Sequence, residues 1–206
     1  MTRSALALCG ALLLGGCADT APEANTPAGK SGAASVQIES APDSARTGPL
    51  VDAERLLAEA LAQAKSENKR VLLHLGAPWC SWCKAFQEFL AQHANLFADD
   101  FVVLKIDVEA MEHGGEIAKR LRGERDGGIP WIVILDGDGT QLVTSDGPDG
   151  NIGFPVTEPE CGHFRKMMES TMQHAPAGRI AEIAKALEEF TEAKRRAAST
   201  SGIHGF

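Results

Sequence analysis

Two cysteines two residues apart, Cys80 and Cys83, stand where an apolar run gives way to a helical pattern, and this constrains the fold more than any other feature. Ahead of them runs Val71-Leu72-Leu73-His74-Leu75-Gly76-Ala77, bounded by a charged turn, which predicts a buried strand. Behind them Phe86, Phe89 and Leu90 fall at i, i+3 and i+4, the spacing of a helix with one buried face. The pair therefore occupies a strand-to-helix turn. Two thiols on a first helical turn lie on one side of it, close enough to close a small disulfide ring. The first faces unpaired backbone N–H groups and the positive end of the helix dipole, which favour its thiolate. Such a pair can cycle between dithiol and disulfide.

A bare Cys-x-x-Cys also fits half of a zinc site or a structural disulfide. Zinc takes further Cys or His ligands at recognisable spacing, and no second Cys-x-x-Cys or closely spaced His pair follows. The strand-to-helix context favours redox chemistry over both.

Trp79 directly precedes the first cysteine, Lys84 directly follows the second, and Gly128-Ile129-Pro130 leads into the apolar Trp131-Ile132-Val133-Ile134-Leu135. On these residues the chain resembles the thioredoxin superfamily, from about Leu50 to the last helix. The resemblance implies an α/β thioredoxin-like fold with Cys80 as nucleophile, Cys83 as the resolving thiol and a Cys80–Cys83 disulfide. It further implies that Trp79 shields the thiols. Pro130 would follow a cis bond, leaving the Ile129 backbone open to an extended substrate segment. No bound cofactor is implied. An ordinary strand-edge proline is the alternative for Pro130, and apolar cover is the alternative to substrate contact for Trp82. Ser81-Trp82 departs from the Gly-Pro of thioredoxin itself, so potential and partner choice do not carry over. Ala77-Pro78-Trp79-Cys80-Ser81-Trp82-Cys83-Lys84 looks more like the secreted thioredoxin-like proteins of bacteria.

Six residues before Cys80, where thioredoxin has a buried aspartate beneath the thiols, this chain has His74. Two readings stand for it. One is a core histidine hydrogen-bonded to backbone; the other is a neutral imidazole that accepts the Cys83 proton during resolution.

The front of the chain speaks of location. Met1-Thr2-Arg3-Ser4 is a short positive start and Ala5 to Leu14 an apolar run of signal-peptide length. Leu14-Gly15-Gly16-Cys17 resembles the lipobox of bacterial lipoproteins, with cleavage before Cys17 and lipid on its sulfur. An ordinary cleavage site with an incidental cysteine is the alternative. Several acyl chains make such an anchor stable, at ~0.8 kcal/mol per buried methylene. Ala18 after the cysteine leans toward the outer membrane by the enterobacterial sorting rule. Residues 1–16 thus read as a lipoprotein signal peptide, 17–49 as a lipidated cysteine with a disordered Ala/Pro/Ser/Thr/Gly tether, and 50–206 as one thioredoxin-like domain. About 155 residues suffice for one well-packed core. The formal charge of −8 and the lack of a basic block make nucleic acid an unsuitable partner. With Cys9 in the signal and Cys17 under lipid, Cys161 is left over beside the 80/83 pair, an odd count that marks the pair as functional rather than structural.

Coarse patterns predict helices over 52–67, 81–97, 116–122, 160–173 and 177–198, and strands over 70–77, 101–108, 131–135 and 141–144. The last two strands pair as an antiparallel hairpin. Residues 146–159, with three Gly and three Pro, read as a long surface loop. This order implies a central mixed sheet of about four to five strands with helices on both faces. His93, His113, His163, His174 and His204 are scattered and read as surface residues.

Function classes follow. The leading expectation is a membrane-tethered, periplasm-facing thiol–disulfide oxidoreductase of the bacterial envelope that reduces protein disulfides or sulfenic acids. By resemblance, a membrane thiol reductase supplies its electrons and disulfide-bearing envelope proteins are its substrates. The alternative is a Cu(I) binding or delivery module built on Cys80, Cys83 and His74 or Cys161, which the lack of Met-rich segments and clustered His disfavours. A peptide-binding adaptor is the third class.

Overall fold

The computed structural model describes residues 50–123 and 127–200. The expected signal peptide, Cys17, the expected tether, residues 124–126 and the chain beyond residue 200 lie outside them. Asp52 opens the first helix, α1 (Ala53–Ser66), as its cap: a carboxylate oxygen accepts the Glu54 N–H at 2.9 Å. Glu54 in the first turn and Lys65 in the last complement the helix dipole. Ala53, Leu56, Leu57, Ala60 and Ala64 bury one face, with Leu61 half-buried beside them. The chain enters through a clip on each side of Asp52: Val51 O accepts the Glu112 N–H and Glu112 O accepts the Ala53 N–H, both at 3.0 Å.

From α1 the chain turns into β1 (Arg70–Gly76), the strand predicted ahead of the cysteines, and then runs through α2 (Ser81–Gln92), α3 (Ala94–Phe97) and β2 (Phe101–Asp107). After α4 (Gly114–Arg122) come β3 (Trp131–Leu135) and β4 (Gln141–Thr144), the predicted hairpin. The short strands β5 (Asp146–Gly147) and β6 (Gly150–Asn151) pair with each other, and α5 (Glu158–Thr171) and α6 (Arg179–Thr200) close the chain. The main sheet has the order β2-β1-β3-β4, with β1 parallel to β2 and antiparallel to β3. It is a mixed sheet of thioredoxin-like α/β type.

Both faces of β1 are covered, which is why its residues from Val71 to Gly76 are all buried. Val71, Leu73 and Leu75 point into a core shared with α1, α4, Ile106 and Trp131. Leu72 points the other way, into a core with Phe86, Phe89, Phe154, Phe164 and Phe190. Alternation sends His74 to the same side as Leu72.

Two expectations are corrected. The active-site helix does not run unbroken to Phe97. His93, at φ −115° and ψ 28°, ends α2, and the chain restarts as α3 so that Leu96 and Phe97 turn inward, Phe97 packing edge-on against Phe89 at 6.0 Å. Nor is 146–159 a surface loop. It contains the β5–β6 hairpin, and Phe154 is buried against Phe86, Phe89 and Phe190. Helix α5 also begins earlier than predicted, because Thr157 and Glu160 form a reciprocal capping box.

Gly114 marks a close approach that only a glycine permits. A Cβ there would lie 2.2 Å from the Asp107 carbonyl oxygen. Gly114→Ala is expected to destabilise the domain by roughly 1–3 kcal/mol, as overpacking against backbone does. The midpoint of urea unfolding, at unchanged slope, measures it.

Candidate active site

The strand β1 delivers the chain to the site, and the loop Ala77–Trp79 reverses it into α2. Cys80 is the cap of that helix, at φ −76° and ψ 106°, and Cys83 lies in its first turn. The two form a disulfide with Cα atoms 5.2 Å apart. The Cys83 N–H points at the Cys80 sulfur at 3.1 Å, so in the reduced state a helix-terminal amide donates to the Cys80 thiolate. Cys83 is wholly buried and Cys80 is 5% exposed, so the first sulfur is the outer one. Behind Cys83 the backbone comes close: a Cβ on Gly76 would sit 3.2 Å from the Cys83 sulfur. Attack from outside can therefore reach Cys80 alone.

Facing Cys80 is the segment before β3. The Ile129–Pro130 bond is cis, and the Ile129 carbonyl oxygen lies 3.6 Å from the Cys80 sulfur. Pro130 is buried and Ile129 half-buried.

Trp79 behaves differently from the shield that the resemblance implies. Trp79 is 67% exposed, and its indole N–H donates to both carboxylate oxygens of Glu109 at 2.9 and 3.0 Å. Glu109 is presented by a turn whose amides, its own and that of Ala110, bond the buried Asp107 carboxylate. Trp82 matches its apolar reading, half-buried and stacked on Phe154 with ring centroids 5.9 Å apart.

His74 lies beneath the cysteines. It is buried, meets Phe86 edge-on at 5.4 Å, and neither ring nitrogen has a hydrogen-bond partner among the described residues. The backbone-bonded reading of His74 is thereby corrected. The point where a Gly76 Cβ would sit is 3.7 Å from the His74 Cδ2 and 3.2 Å from the Cys83 sulfur, so the ring edge and the inner sulfur flank the same spot. Burial, reinforced by the Lys105 charge, pushes His74 down to about 3. The ring is neutral at ordinary pH.

Cys161 is the free cysteine among the described residues. It lines a groove of about 450 Å³ between α5 and α6 with Phe164, Met168, Ile183 and Leu187, and burial pushes its thiol up. Among the described residues no three His, Cys, Asp or Glu side chains gather as a metal site, and no helix is long and apolar enough to cross a membrane. His113 and His174 are exposed, as expected of surface residues. His93 and His163 are half-buried, His163 with its Nε2 3.0 Å from the Thr144 carbonyl oxygen.

Sequence reasoning missed three contributors: Glu109 beneath Trp79, Phe154 against Trp82, and Asn151, whose side-chain amide bonds the carbonyls of Gly128 and Pro130. None carries a motif.

The fold and this disulfide define a thioredoxin-fold protein with a Cys-x-x-Cys centre, the architecture of thiol–disulfide oxidoreductases. A family model described as "Thioredoxin-like" matches residues 52–137. Over those residues the chain is similar to that family. It is 37% identical over 103 residues to the thiol:disulfide interchange protein DsbD of Cronobacter sakazakii, and 29% identical over 108 residues to an uncharacterised protein of Caenorhabditis elegans. Each match covers 48% of this chain but only 16% and 15% of those relatives, so the chain spans a small part of their length. Among solved structures, a disulphide isomerase from Xylella fastidiosa Temecula1 is similar, at 23% identity and a TM-score of 0.44, covering 74% of this chain and 96% of that one.

Proposed function

We propose that this chain is a thiol–disulfide oxidoreductase that reduces disulfides of envelope proteins from a lipid anchor at Cys17. The observation that carries the redox part is the Cys80–Cys83 disulfide at the start of α2, with Cys80 outermost and facing Ile129. In the reduced protein the Cys80 thiolate attacks one sulfur of a substrate disulfide, releasing the other as a thiolate and leaving a mixed disulfide. Cys83, deprotonated, then attacks the Cys80 sulfur and expels the second substrate thiolate. The substrate gains two electrons and the chain is left as the Cys80–Cys83 disulfide. A membrane thiol reductase restores the dithiol.

The reducing direction is supported by the resemblance of Ile129 before Pro130 to reducing thioredoxins. Equilibration with glutathione tests it. A potential near −270 mV is expected; one near about −120 mV identifies an oxidant and overturns the direction.

The anchored location is supported by Leu14-Gly15-Gly16-Cys17 after an apolar run, with Ala18 favouring the outer membrane. Mass spectrometry of the native protein is expected to find Cys17 as the N-terminal residue, carrying lipid. A mature chain beginning elsewhere and released without lipid refutes the anchor.

A further inference from the structure

Asn151 lies in β6, beyond the residues that the family model matches. Its amide is engaged on both sides. Nδ2 donates to the Gly128 carbonyl at 2.7 Å and to the Pro130 carbonyl at 2.9 Å. Oδ1 accepts from the Ser145 hydroxyl at 2.7 Å and from the Gly153 N–H at 3.2 Å. Ser145 is fully buried and fixed in turn: its Oγ accepts the Ile132 N–H at 2.8 Å, its N–H donates to the Ile132 carbonyl at 2.8 Å, and its carbonyl accepts the Ile152 N–H at 2.9 Å. From another direction the Arg122 guanidinium donates to the carbonyls of Gly127 and Gly128.

The consequence concerns Ile129. The carbonyls of Gly128 and Pro130 are held by one side-chain amide, and the carbonyl between them, that of Ile129, meets the Cys80 sulfur at 3.6 Å. The two-residue strands β5 and β6 thus have a purpose at the site: they bring Asn151 to the back of the segment that Cys80 faces.

We propose that Asn151 is a positioning residue for exchange with polypeptide disulfides. It holds the Ile129 main chain level with the Cys80 sulfur, so that the backbone flanking a substrate cystine pairs with it and the disulfide is aligned for attack. This rests on the reading of the site as a reductase of protein disulfides. A small disulfide has no flanking chain and does not draw on that alignment.

Asn151→Asp is nearly isosteric, keeps the acceptor toward Ser145 and Gly153, and replaces the donor with an oxygen facing two carbonyls. Asn151→Ala removes the donor without adding charge. Reduced wild type and both variants are compared on insulin and on the small disulfide dithiodipyridine, and amide hydrogen exchange is followed at Gly128, Ile129 and Trp131. The expected result is an insulin-to-dithiodipyridine ratio of kcat/KM lowered about tenfold, mainly through KM, with faster exchange at those amides. Equal losses on the two substrates, or an unchanged ratio, overturn the proposal. A wild type that leaves insulin oxidised refutes the reductase reading instead. The exchange measurement then still decides, since unchanged protection in both variants overturns the positioning role.

Discussion

Cys80→Ser abolishes disulfide reduction, and Cys83→Ser accumulates mixed disulfides with client proteins; these are the expected results of the largest changes the site permits. The asymmetry follows from placement. Cys80 caps α2, receives an amide from the helix start and is the outer sulfur. Cys83 is wholly buried with the Gly76 backbone behind it, so it cannot substitute as the attacking group for a macromolecular substrate. Loss of Cys80 therefore leaves a site whose remaining thiol, Cys83, is inaccessible, and turnover falls by several orders of magnitude. Loss of Cys83 leaves the first attack intact and removes the thiol that completes the exchange. Non-reducing electrophoresis of both variants from cells, and iodoacetamide labelling of the reduced wild type at mildly acid pH, provide the readouts. Cys80 is expected to label well before Cys83, and to titrate below the ~8.5 of a free thiol. Mixed disulfides in Cys80→Ser, or equal labelling of both thiols, contradict this assignment.

His74 makes the fold sensitive to acid. In the folded chain it is held at about 3, first by burial and second by the Lys105 charge. The unfolded chain takes up the proton near ~6.5. Because the folded value is the lower one, the unfolded state binds more protons between these limits, and stability is lost as pH falls from about 6.5 toward 3. The slope approaches ~1.4 kcal/mol per pH unit and vanishes above that window. His74→Leu is expected to remove it. Carboxylates with lowered values, such as Asp52 and Asp136, also contribute stability that is lost in acid, and His113, raised by its bond to Asp52, contributes stability that is lost as pH rises. Both are common to the two proteins, so the difference between their urea midpoints at pH 4 to 7 isolates His74. The same variant tests the catalytic proposal. Slower resolution of mixed disulfides, with the first attack by Cys80 spared, is what a proton-accepting His74 demands. An unchanged rate leaves it a neutral core residue.

The parts of the fold that were legible in the sequence are those with a local signature. Val71–Ala77 is an apolar run interrupted by His74 alone because both faces of β1 are covered, and Phe86, Phe89 and Leu90 repeat at helical spacing because α2 buries one face. The break at His93 left no mark, since good helix formers continue on both sides and only the need to turn Leu96 and Phe97 inward ends the helix. The 146–159 segment was misread because its Gly and Pro report backbone freedom, whereas burial of Phe154 is set by aromatic rings distant in sequence. Thr157-x-x-Glu160, in contrast, was a readable capping box that periodicity alone passed over. At the site the cysteines and Ile129-Pro130 stand out by motif. Glu109 and Asn151 act across 30 and 21 residues of chain through side-chain hydrogen bonds, which no periodicity encodes.

The clip at the domain's entrance has a mechanical meaning. Val51 and Ala53 are joined to Glu112 by two backbone hydrogen bonds, just ahead of α1. Any tension carried along the chain ahead of Leu50 arrives at this point first. It meets those two bonds and the turn before α4, not β1 or the Cys80 loop. The load is spent where few groups are held, so a pull on the N-terminal side peels Leu50 and Val51 away before it bends the strand that carries the cysteines.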